Sequence, residues 1–198
     1  MEKTQLISKN NITGLILAGG EGRRVEGRDK GLLKYKGTSL IERQIAWLEP
    51  QVKSLLISAN RNIEQYKKFE HLVLCDNTKH FEGPLRGVLR GLESCSTEFL
   101  FVQTVDVPHL PVNLVELLID KMKSQKKKSL SCYYLKSNQR EHYLSMLISK
   151  KCLHSLKDYL ESGHRKVIDY HREIGSIALD LGVSELAFRN LNSSIDYQ

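Results

Sequence analysis

The chain has 198 residues, of which 40% are hydrophobic and 27% are charged, and its formal net charge is +7. This composition is typical of a soluble globular protein and excludes a membrane-spanning chain, since no apolar run approaches the roughly 18 residues that a bilayer requires. We therefore expect a single domain over residues 1–198. Because the segment Met1–Asn11 lacks the apolar core of a secretory signal, we also expect a cytoplasmic protein with no membrane partner.

Neither the cysteines nor the basic charge indicates a metal centre or a nucleic-acid site. The cysteines, Cys75, Cys95, Cys132 and Cys152, lie far apart and form no C-x-x-C pair, so we expect reduced and mostly buried thiols. The lysines between 121 and 128 cluster at the end of an expected helix, without aromatic residues among them. We expect no nucleic-acid partner, because no DNA- or RNA-binding motif is recognisable, and a basic surface also suits an acidic small substrate.

The first predicted element is a buried strand that leads into a loop rich in glycine and arginine. The strand covers about Thr13–Ala18, and the loop carries Lys30 together with several arginines. Glycines let a backbone approach a ligand closely, and arginine and lysine donate to phosphate oxygens. Open α/β sheets bind nucleotides at such a loop, although a positively charged surface hairpin would have the same composition.

The spacing of this loop weakens two common nucleotide-binding interpretations. A Walker A loop requires Gly-Lys-Ser/Thr, but Gly27 is followed by Arg28 and Asp29. A dinucleotide fingerprint requires a third glycine where Val25 stands. An ATPase or a dehydrogenase is therefore disfavoured.

Strands and helices alternate up to about residue 123. The predicted elements in this part are a helix from Leu40 to near Pro50 capped by Ser39 and Glu42, strands at Leu55–Ile57 and Leu72–Cys75 around a short helix at Asn62–Phe69, a helix opened by Pro84, a strand at Phe99–Val102, and a helix from about Pro111 to Lys123. This alternation predicts an α/β fold with a parallel sheet between helices.

The pattern changes from Ser129 onward. Leu130–Leu135 and His142–Ile148 flank a polar turn, and we expect them to form an antiparallel pair. The predictions that follow are a helix at Lys150–Glu161, a strand near Ile177–Leu181 and a last extended segment at Glu185–Leu191. The expected sheet is thus mostly parallel, with an antiparallel portion in the C-terminal half.

Polar residues follow three of the predicted parallel strands. Asn60, Asp76 and Asp106 each stand where a strand ends, and such ends share one edge of a parallel sheet. A single carboxylate such as Asp106 suits Mg²⁺, which completes its shell with waters and substrate phosphates, although a turn or capping aspartate is an equal alternative. Asn60 offers the donor and acceptor that base or ribose recognition requires.

These residues together resemble a known family. The stretch LAGGEGRRVEGRDKGLL, Leu17–Leu33, is similar to the signature of the molybdenum cofactor guanylyltransferases, the MobA proteins. The resemblance continues in order through SANR at 58–61, Asp76, EGPLRG at 82–87, VDVP at 105–108, GHRK at 163–166 and FRNLN at 188–192. It implies a three-layer Rossmann-like nucleotidyltransferase fold. It also implies transfer of GMP from GTP to molybdopterin carrying molybdenum, with release of pyrophosphate.

The resemblance also implies which residues act on the nucleotide. Lys30, Asp106 and Arg24 would be catalytic, with Asp106 holding Mg²⁺ and the two basic residues neutralising the triphosphate. The implied nucleotide-binding residues are Leu17, Ala18, Gly19, Gly20, Lys30, Asn60, Asp76 and Asp106. Related cytidylyltransferases carry Leu-Ala-Ala-Gly in this loop, whereas this chain has Leu17-Ala18-Gly19-Gly20, which by the resemblance favours guanine.

The C-terminal half is expected to bind the pterin substrate. It departs from the family at 142–144, where HYL replaces His-Pro-Thr, and at 192–195, where NSSI replaces Asn-Thr-Pro-Glu. We further expect transient contact with other proteins of molybdenum cofactor synthesis or with molybdoenzymes. The candidate pterin-binding residues, each of which could instead be a surface or capping residue, are His142, Arg165, Lys166, Asn190 and Asn192.

Other functions stay open on the sequence alone. A related nucleotidyltransferase could use CTP or another nucleotide, with a pterin or a sugar phosphate as the acceptor. A non-catalytic module could bind a nucleotide and deliver a cofactor to a partner enzyme. A nucleic-acid binder would show salt-sensitive retention on DNA or RNA that survives Lys30→Ala.

Overall fold

A seven-stranded sheet forms the centre of the computed structural model, which describes residues 7–19, 28–76, 82–125, 131–138 and 140–191. The strands in these ranges are β1 (Ile12–Leu17), β2 (Lys34–Tyr35), β3 (Thr38–Ser39), β4 (Ser54–Ser58), β5 (Leu72–Leu74), β6 (Phe99–Thr104), β7 (Cys132–Ser137), β8 (Arg140–Ser149) and β9 (Ile177–Asp180). The α-helices are α1 (Leu40–Leu48), α2 (Ile63–Lys67), α3 (Pro84–Ser94), α4 (Leu114–Ser124), α5 (Leu153–Glu161) and α6 (Val167–Glu173).

The sheet has the order β5-β4-β1-β6-β8-β7-β9, while β2 and β3 form a separate hairpin. Neighbours from β5 to β6 are parallel, β8 is antiparallel to both β6 and β7, and β9 is parallel to β7. The prediction of a mostly parallel sheet with an antiparallel portion is confirmed. Because Val102 of β6 pairs with Met146, the first residues of β8 lie at the edge where β6 ends. The two halves of the chain therefore share one edge of the sheet.

Alternation along the strands places a core layer on each face of the sheet. In β1, Ile12 and Ile16 pack on the face covered by α1 and α4, whereas Leu15 and Leu17 pack on the face covered by α3 and α5. Each fully buried Leu or Ile side chain contributes about 1.5–3 kcal/mol to folding. These two layers, with the sheet between them, give the three-layer α/β architecture.

Local sequence signals position the helices. The capping box predicted for α1 is present, since Ser39 Oγ accepts from the Glu42 amide at 3.3 Å and the Glu42 carboxylate accepts from the Ser39 amide at 2.9 Å. Hydrogen bonds from Ser39 lower the pKa of Glu42. Pro84 is the first residue of α3, as predicted, because its missing N–H would be unsatisfied there in any helix.

Some segments differ from the sequence prediction. The segment predicted as extended at Glu185–Leu191 instead forms a 3-10 turn over Glu185–Phe188, because Ser184 Oγ accepts from the Leu186 amide and the turn buries Phe188. Helix α6 was absent from the prediction, since its seven residues are too short to show a clear helical apolar period. Helix α4 begins at Leu114, after a turn, rather than near Pro111.

Cys95, Cys132 and Cys152 are buried and Cys75 is partly exposed, which confirms the prediction of mostly buried cysteines, and no disulfide joins any two of them. In the part of the chain that the structure describes, no helix has the length and apolarity needed to cross a membrane.

Candidate active site

The carboxyl ends of β1, β4, β5 and β6 meet at one edge of the sheet, where the predicted nucleotide-binding residues lie. The amides of Ala18 and Gly19 both donate to the Ser58 carbonyl at 2.9 Å, so the chain leaving β1 stays bound to the end of β4. A Cβ added at Gly19 would lie 3.7 Å from Asn60 Nδ2. The start of the glycine loop and Asn60 are therefore neighbours, as predicted from the ends of parallel strands.

Lys30 and Asp106, both predicted to be catalytic, form an ion pair. Lys30 Nζ donates to Asp106 Oδ2 at 2.7 Å, and the two side chains are only 21% and 13% exposed. The pair joins the basic loop to the end of β6, although 76 residues separate them in sequence. An ammonium group held in this position offers positive charge to an anionic ligand at the sheet edge.

The backbone around Asp106 is fixed by contacts from three other segments. The Val105 amide donates to the Leu17 carbonyl at 3.1 Å, and the Leu191 amide donates to the Asp106 carbonyl at 2.9 Å. Gln44 Nε2 donates at 2.6 Å to the carbonyl of the residue that follows Asp106. The carboxylate is thus presented from a rigid turn, which is what a preorganised electrostatic site requires.

One carboxylate oxygen of Asp106 has no hydrogen-bond partner among the residues that the structure describes. Its Oδ1 is buried, and no described residue donates a hydrogen bond to it. A buried acceptor without a donor costs about 1–3 kcal/mol, more when it is charged, so an external cation or donor would be stabilised here. No group of three or more His, Cys, Asp or Glu residues in the described ranges could hold a metal.

Asn60 and Asp76 bind each other across the ends of β4 and β5. Asn60 Nδ2 donates to Asp76 Oδ2 at 2.8 Å, and the Asp76 amide donates to Asn60 Oδ1 at 2.8 Å. Asp76 Oδ1 is buried and accepts from no described residue. Both polar functions of the Asn60 amide are thus already engaged, and the carboxylate of Asp76 carries the unsatisfied acceptor of the pair.

Of the candidate pterin-binding residues in the C-terminal half, His142 and Asn190 lie at the same edge of the sheet. His142 Nε2 is 2.8 Å from Ser137 Oγ, and its ring stacks on Phe188 with a centroid distance of 4.0 Å. Burial lowers the pKa of His142. Three residues after Phe188, the amide of Leu191 binds Asp106, so the segment that contains Asn190 returns to the candidate active site.

Arg165 and Lys166 have structural partners at the end of α5. Arg165 donates to the carbonyls of Leu160 and His164 at 2.6 Å and lies 3.7 Å from the Glu82 carboxylate. The Lys166 carbonyl accepts from the Tyr159 hydroxyl at 2.8 Å. These contacts support the structural alternative for Arg165, and a role for either residue at a ligand stays a prediction.

Tyr143, at one of the positions that depart from the family, belongs to an aromatic cluster formed between β7, β8 and α6. Its ring centroid lies 5.1 Å from that of Tyr134 and 5.5 Å from that of His171. His171 is buried, with Nε2 2.9 Å from the Tyr143 carbonyl and Nδ1 2.9 Å from Ser176 Oγ. Burial lowers the pKa of His171, and a neutral ring that donates from Nε2 satisfies both contacts.

Gly20, Arg24 and Asn192 lie outside the described residues, as does the rest of the NSSI segment at 192–195. Their roles therefore stay predictions. One residue that the sequence prediction missed is Asp29, which is buried beside Lys30 and accepts from the Gly31 amide at 3.2 Å. An aspartate two residues before a glycine in a loop is a known turn signal that could have identified it.

Sequence comparison places these residues in a family. The family described as MobA-like NTP transferase domain matches residues 14–174. The molybdenum cofactor guanylyltransferase of Haemophilus influenzae is 38% identical over 186 residues, which cover 93% of this chain and 95% of that protein. The molybdenum cofactor guanylyltransferase of Mannheimia succiniciproducens is 37% identical over 186 residues, with 93% and 96% covered.

Structure comparison gives the same fold. The crystal structure of molybdopterin-guanine dinucleotide biosynthesis protein A from Archaeoglobus fulgidus matches with a TM-score of 0.73 and covers 93% of this chain and 94% of that chain. Sequence identity across this match is 20%, so the likeness establishes the Rossmann-like nucleotidyltransferase fold alone.

Proposed function

We propose that this chain, which belongs to the MobA-like NTP transferase family, transfers GMP from GTP to molybdopterin carrying molybdenum, forming the guanine dinucleotide cofactor and releasing pyrophosphate. As a member of that family the chain is a nucleotidyltransferase. Guanylyl transfer and the molybdenum cofactor enter the proposal from the Haemophilus and Mannheimia relatives, which match almost the whole chain. The structural observation that carries the proposal is the Lys30–Asp106 pair, with its unsatisfied carboxylate oxygen, at the nucleotide edge of the sheet.

The reaction is a displacement at phosphorus. The terminal phosphate of the pterin substrate attacks the α-phosphorus of GTP, a new P–O bond forms, and the bond between the α-phosphorus and the bridging oxygen breaks as pyrophosphate leaves. The attacking phosphate is already ionised, so no general base is required. The rate then depends on the positioning of the two substrates and on neutralisation of the triphosphate charge, for which Lys30 supplies an ammonium group.

The residues present at the sheet edge fit Mg²⁺. Asp106 Oδ1 is a carboxylate oxygen to which no described residue donates, and Mg²⁺ is usually bound by one or two carboxylates together with water and substrate phosphates. Asp106 would hold the ion, which when bound neutralises charge on the triphosphate. The lack of a larger acidic cluster in the described ranges agrees with an ion that arrives with the nucleotide.

The remaining predicted residues divide between the two halves of the chain. In the N-terminal half, the backbone from Leu17 to Gly20 would bind GTP, Arg24 would assist Lys30 at the triphosphate, and Asn60 with Asp76 would bind the nucleoside. The C-terminal half would bind the pterin, through the candidate residues His142, Arg165, Lys166, Asn190 and Asn192. Transient contact with a molybdoenzyme would then deliver the product.

The deciding assay measures pyrophosphate release by the full chain with GTP, CTP or ATP, each with and without molybdenum-loaded molybdopterin. We expect release only when GTP, Mg²⁺ and the loaded pterin are all present. Release with CTP, or with a sugar phosphate as acceptor, would assign the chain to a different nucleotidyltransferase activity. Binding of GTP without any release would make it a non-catalytic cofactor-delivery module.

Two lysine variants test whether Lys30 contributes to catalysis or only forms an ordinary ion pair. Lys30→Ala should lower kcat more than it raises the KM for GTP, because the ammonium acts on charge that develops in the transition state. Lys67 donates to Glu64 at the same 2.7 Å distance, on the surface of α2, and Lys67→Ala should leave both constants unchanged. A Lys30→Ala enzyme with preserved kcat would remove Lys30 from the catalytic step.

A further inference from the structure

Asp29 is a buried carboxylate in the loop that carries Lys30. The residue is only 8% exposed, and it caps the 3-10 turn over Lys30–Leu32 by accepting from the Gly31 amide at 3.2 Å. Its other contacts come from the chain after β4, where Tyr66 donates its hydroxyl at 2.7 Å and Asn62 donates Nδ2 at 3.0 Å. Asp29 therefore connects two segments that are distant in sequence.

A second set of contacts joins the same two segments. Arg61 Nη2 donates to the Arg28 carbonyl at 2.8 Å, and Arg61 Nε lies 3.9 Å from Asp29 Oδ2. Asn62, with φ of 51°, adopts the left-handed conformation that asparagine tolerates well, and its side chain donates to Asp29 from there. Asn60, which is hydrogen-bonded to Asp76, directly precedes Arg61 in the chain. The nucleoside side and the phosphate side of the candidate site are thus tied together at Asp29.

The hydroxyl of Tyr66 is placed to serve Asp29. The Tyr66 side chain is fully buried, and burial together with the hydrogen bond to Asp29 raises the pKa of its hydroxyl, which keeps it a neutral donor. A Cβ at Gly31 would lie only 2.3 Å from Tyr66 Oη, so glycine is needed there to let the hydroxyl reach the carboxylate. In the sequence Asp29-Lys30-Gly31, Asp29 caps the 3-10 turn, Lys30 pairs with Asp106, and Gly31 leaves space for the hydroxyl of Tyr66.

The contacts around Asp29 argue against a role as a ligand. A carboxylate beside a triphosphate site would repel the substrate if its charge were available. Here the hydroxyl of Tyr66, the side-chain amide of Asn62 and the Gly31 N–H donate to its oxygens, and the guanidinium of Arg61 lies 3.9 Å away as a countercharge. The charge of Asp29 is compensated inside the protein, so its role is to hold the Lys30 turn and the segment after β4 in a fixed relative position.

We propose that Asp29 and Tyr66 are positioning residues, which fix the Lys30 ammonium against Asp106 and hold it in register with the Asn60 segment. If the turn at Lys30–Leu32 were not already fixed, Lys30 would have to order the backbone of the turn as well as its own side chain in order to reach Asp106. A turn that is already fixed at Asp29 lowers this cost before the nucleotide binds. The inference rests on the proposed guanylyl transfer for its kinetic consequence, but not for its structural one.

The test compares two buried tyrosines that each lose only a hydroxyl. Tyr66→Phe removes the donor to Asp29, while Tyr170→Phe removes a buried hydroxyl that contacts Ser155 Oγ at 3.0 Å in the other core layer. We expect Tyr66→Phe to lower kcat for pyrophosphate release about tenfold, with the KM for GTP changed less than about threefold. Tyr170→Phe should leave both constants within about twofold of the parent chain.

A spectroscopic measurement reports Lys30 directly and does not need turnover. In a chain with ¹³C-labelled lysine, the Cε resonance of Lys30, assigned by its loss in Lys30→Ala, should shift in Tyr66→Phe and stay in place in Tyr170→Phe. Asp29→Asn provides a second variant of nearly the same shape and should shift the same resonance. If the parent chain does not react with GTP but the shifts occur, the positioning role stands and the proposed function fails.

The double variant decides whether Tyr66 acts through Lys30. In the Lys30→Ala background, adding Tyr66→Phe should cause no further loss of single-turnover rate, because the group that it positions is gone. The inference is overturned if Tyr66→Phe matches Tyr170→Phe in both kcat and the Lys30 resonance. It is equally overturned if the tenfold loss persists in full without Lys30, since that result indicates a general loss of structure.

Discussion

Gly31→Ala should destabilise the protein through the hydroxyl of Tyr66. The new Cβ would lie 2.3 Å from Tyr66 Oη, well below the 3.0 Å that Cβ contacts essentially always respect. Relief requires the hydroxyl to move away from Asp29, which loses a hydrogen bond to a charged group, worth about 1.5–3 kcal/mol. We therefore expect the free energy of unfolding to fall by about 2 kcal/mol.

The same substitution should be harmless once the hydroxyl is absent. In Tyr66→Phe, the atoms nearest to the new Cβ are ring carbons at 3.3 and 3.4 Å, which small ring movements accommodate. Alanine also restricts the unfolded chain more than glycine, which favours folding by about 0.4–1 kcal/mol. The cycle of Gly31→Ala and Tyr66→Phe should thus show a favourable coupling of about 1–2 kcal/mol.

Urea unfolding of the four chains in this cycle measures the coupling directly. Gly91→Ala provides the control, because its Cβ would lie 2.7 Å from a methyl group of Leu15, on the other face of the sheet. Its cost should be the same in the parent chain and in the Tyr66→Phe variant. Additive costs for Gly31→Ala and Tyr66→Phe would refute the geometry assigned to the Asp29 cluster.

Three further results are expected. Asp106→Asn keeps the shape of the side chain but removes its charge, so pyrophosphate release should fall at least about a hundredfold with an unchanged circular dichroism spectrum; full activity at saturating Mg²⁺ would remove Asp106 from the reaction. Ser39→Ala breaks the capping box of α1 and should lower the free energy of unfolding by about 1 kcal/mol in urea, while Ser39→Thr should retain most of it. Because burial lowers the pKa of His171 below its ordinary 6.5, the unfolded chain binds its proton first, and stability should fall as the pH drops from 6.5 toward the lower folded value. Unfolding measured between about pH 5 and 8 should show a smaller decrease for His171→Gln than for the parent chain, and parallel curves would count against this contribution.

The elements that the sequence predicted well depend on local interactions. Ser39 and Glu42 start α1 because their side chains bind amides only three residues away. Pro84 begins α3 for an equally local reason, the missing N–H of proline. The edge position of Asn60 and Asp106 also followed, because the ends of parallel strands must meet wherever each strand lies in the sheet.

The segment at Glu185–Leu191 shows where such reasoning fails. Its apolar residues suggested an extended piece, but Phe188 is buried in a 3-10 turn and stacks on His142. The amide of Leu191 binds the carbonyl of Asp106, which is 85 positions earlier in the chain. The pattern of apolar residues within a seven-residue segment cannot reveal a contact with a residue so far away in the sequence.

By itself, the sequence determined the alternation of strands and helices up to α4, the capping box of α1 and the first residue of α3, and it predicts a nucleotide-binding role for the loop that carries Lys30. Only the tertiary structure decided that Lys30 pairs with Asp106 and that its neighbour Asp29 is turned inward to Tyr66. The physical reason is that backbone preferences act over a few residues, whereas the partner of a buried charge is set by packing. A buried carboxylate without hydrogen-bond donors is energetically costly. For Asp29 the donors come from the segment after β4, which only the folded sheet places beside it.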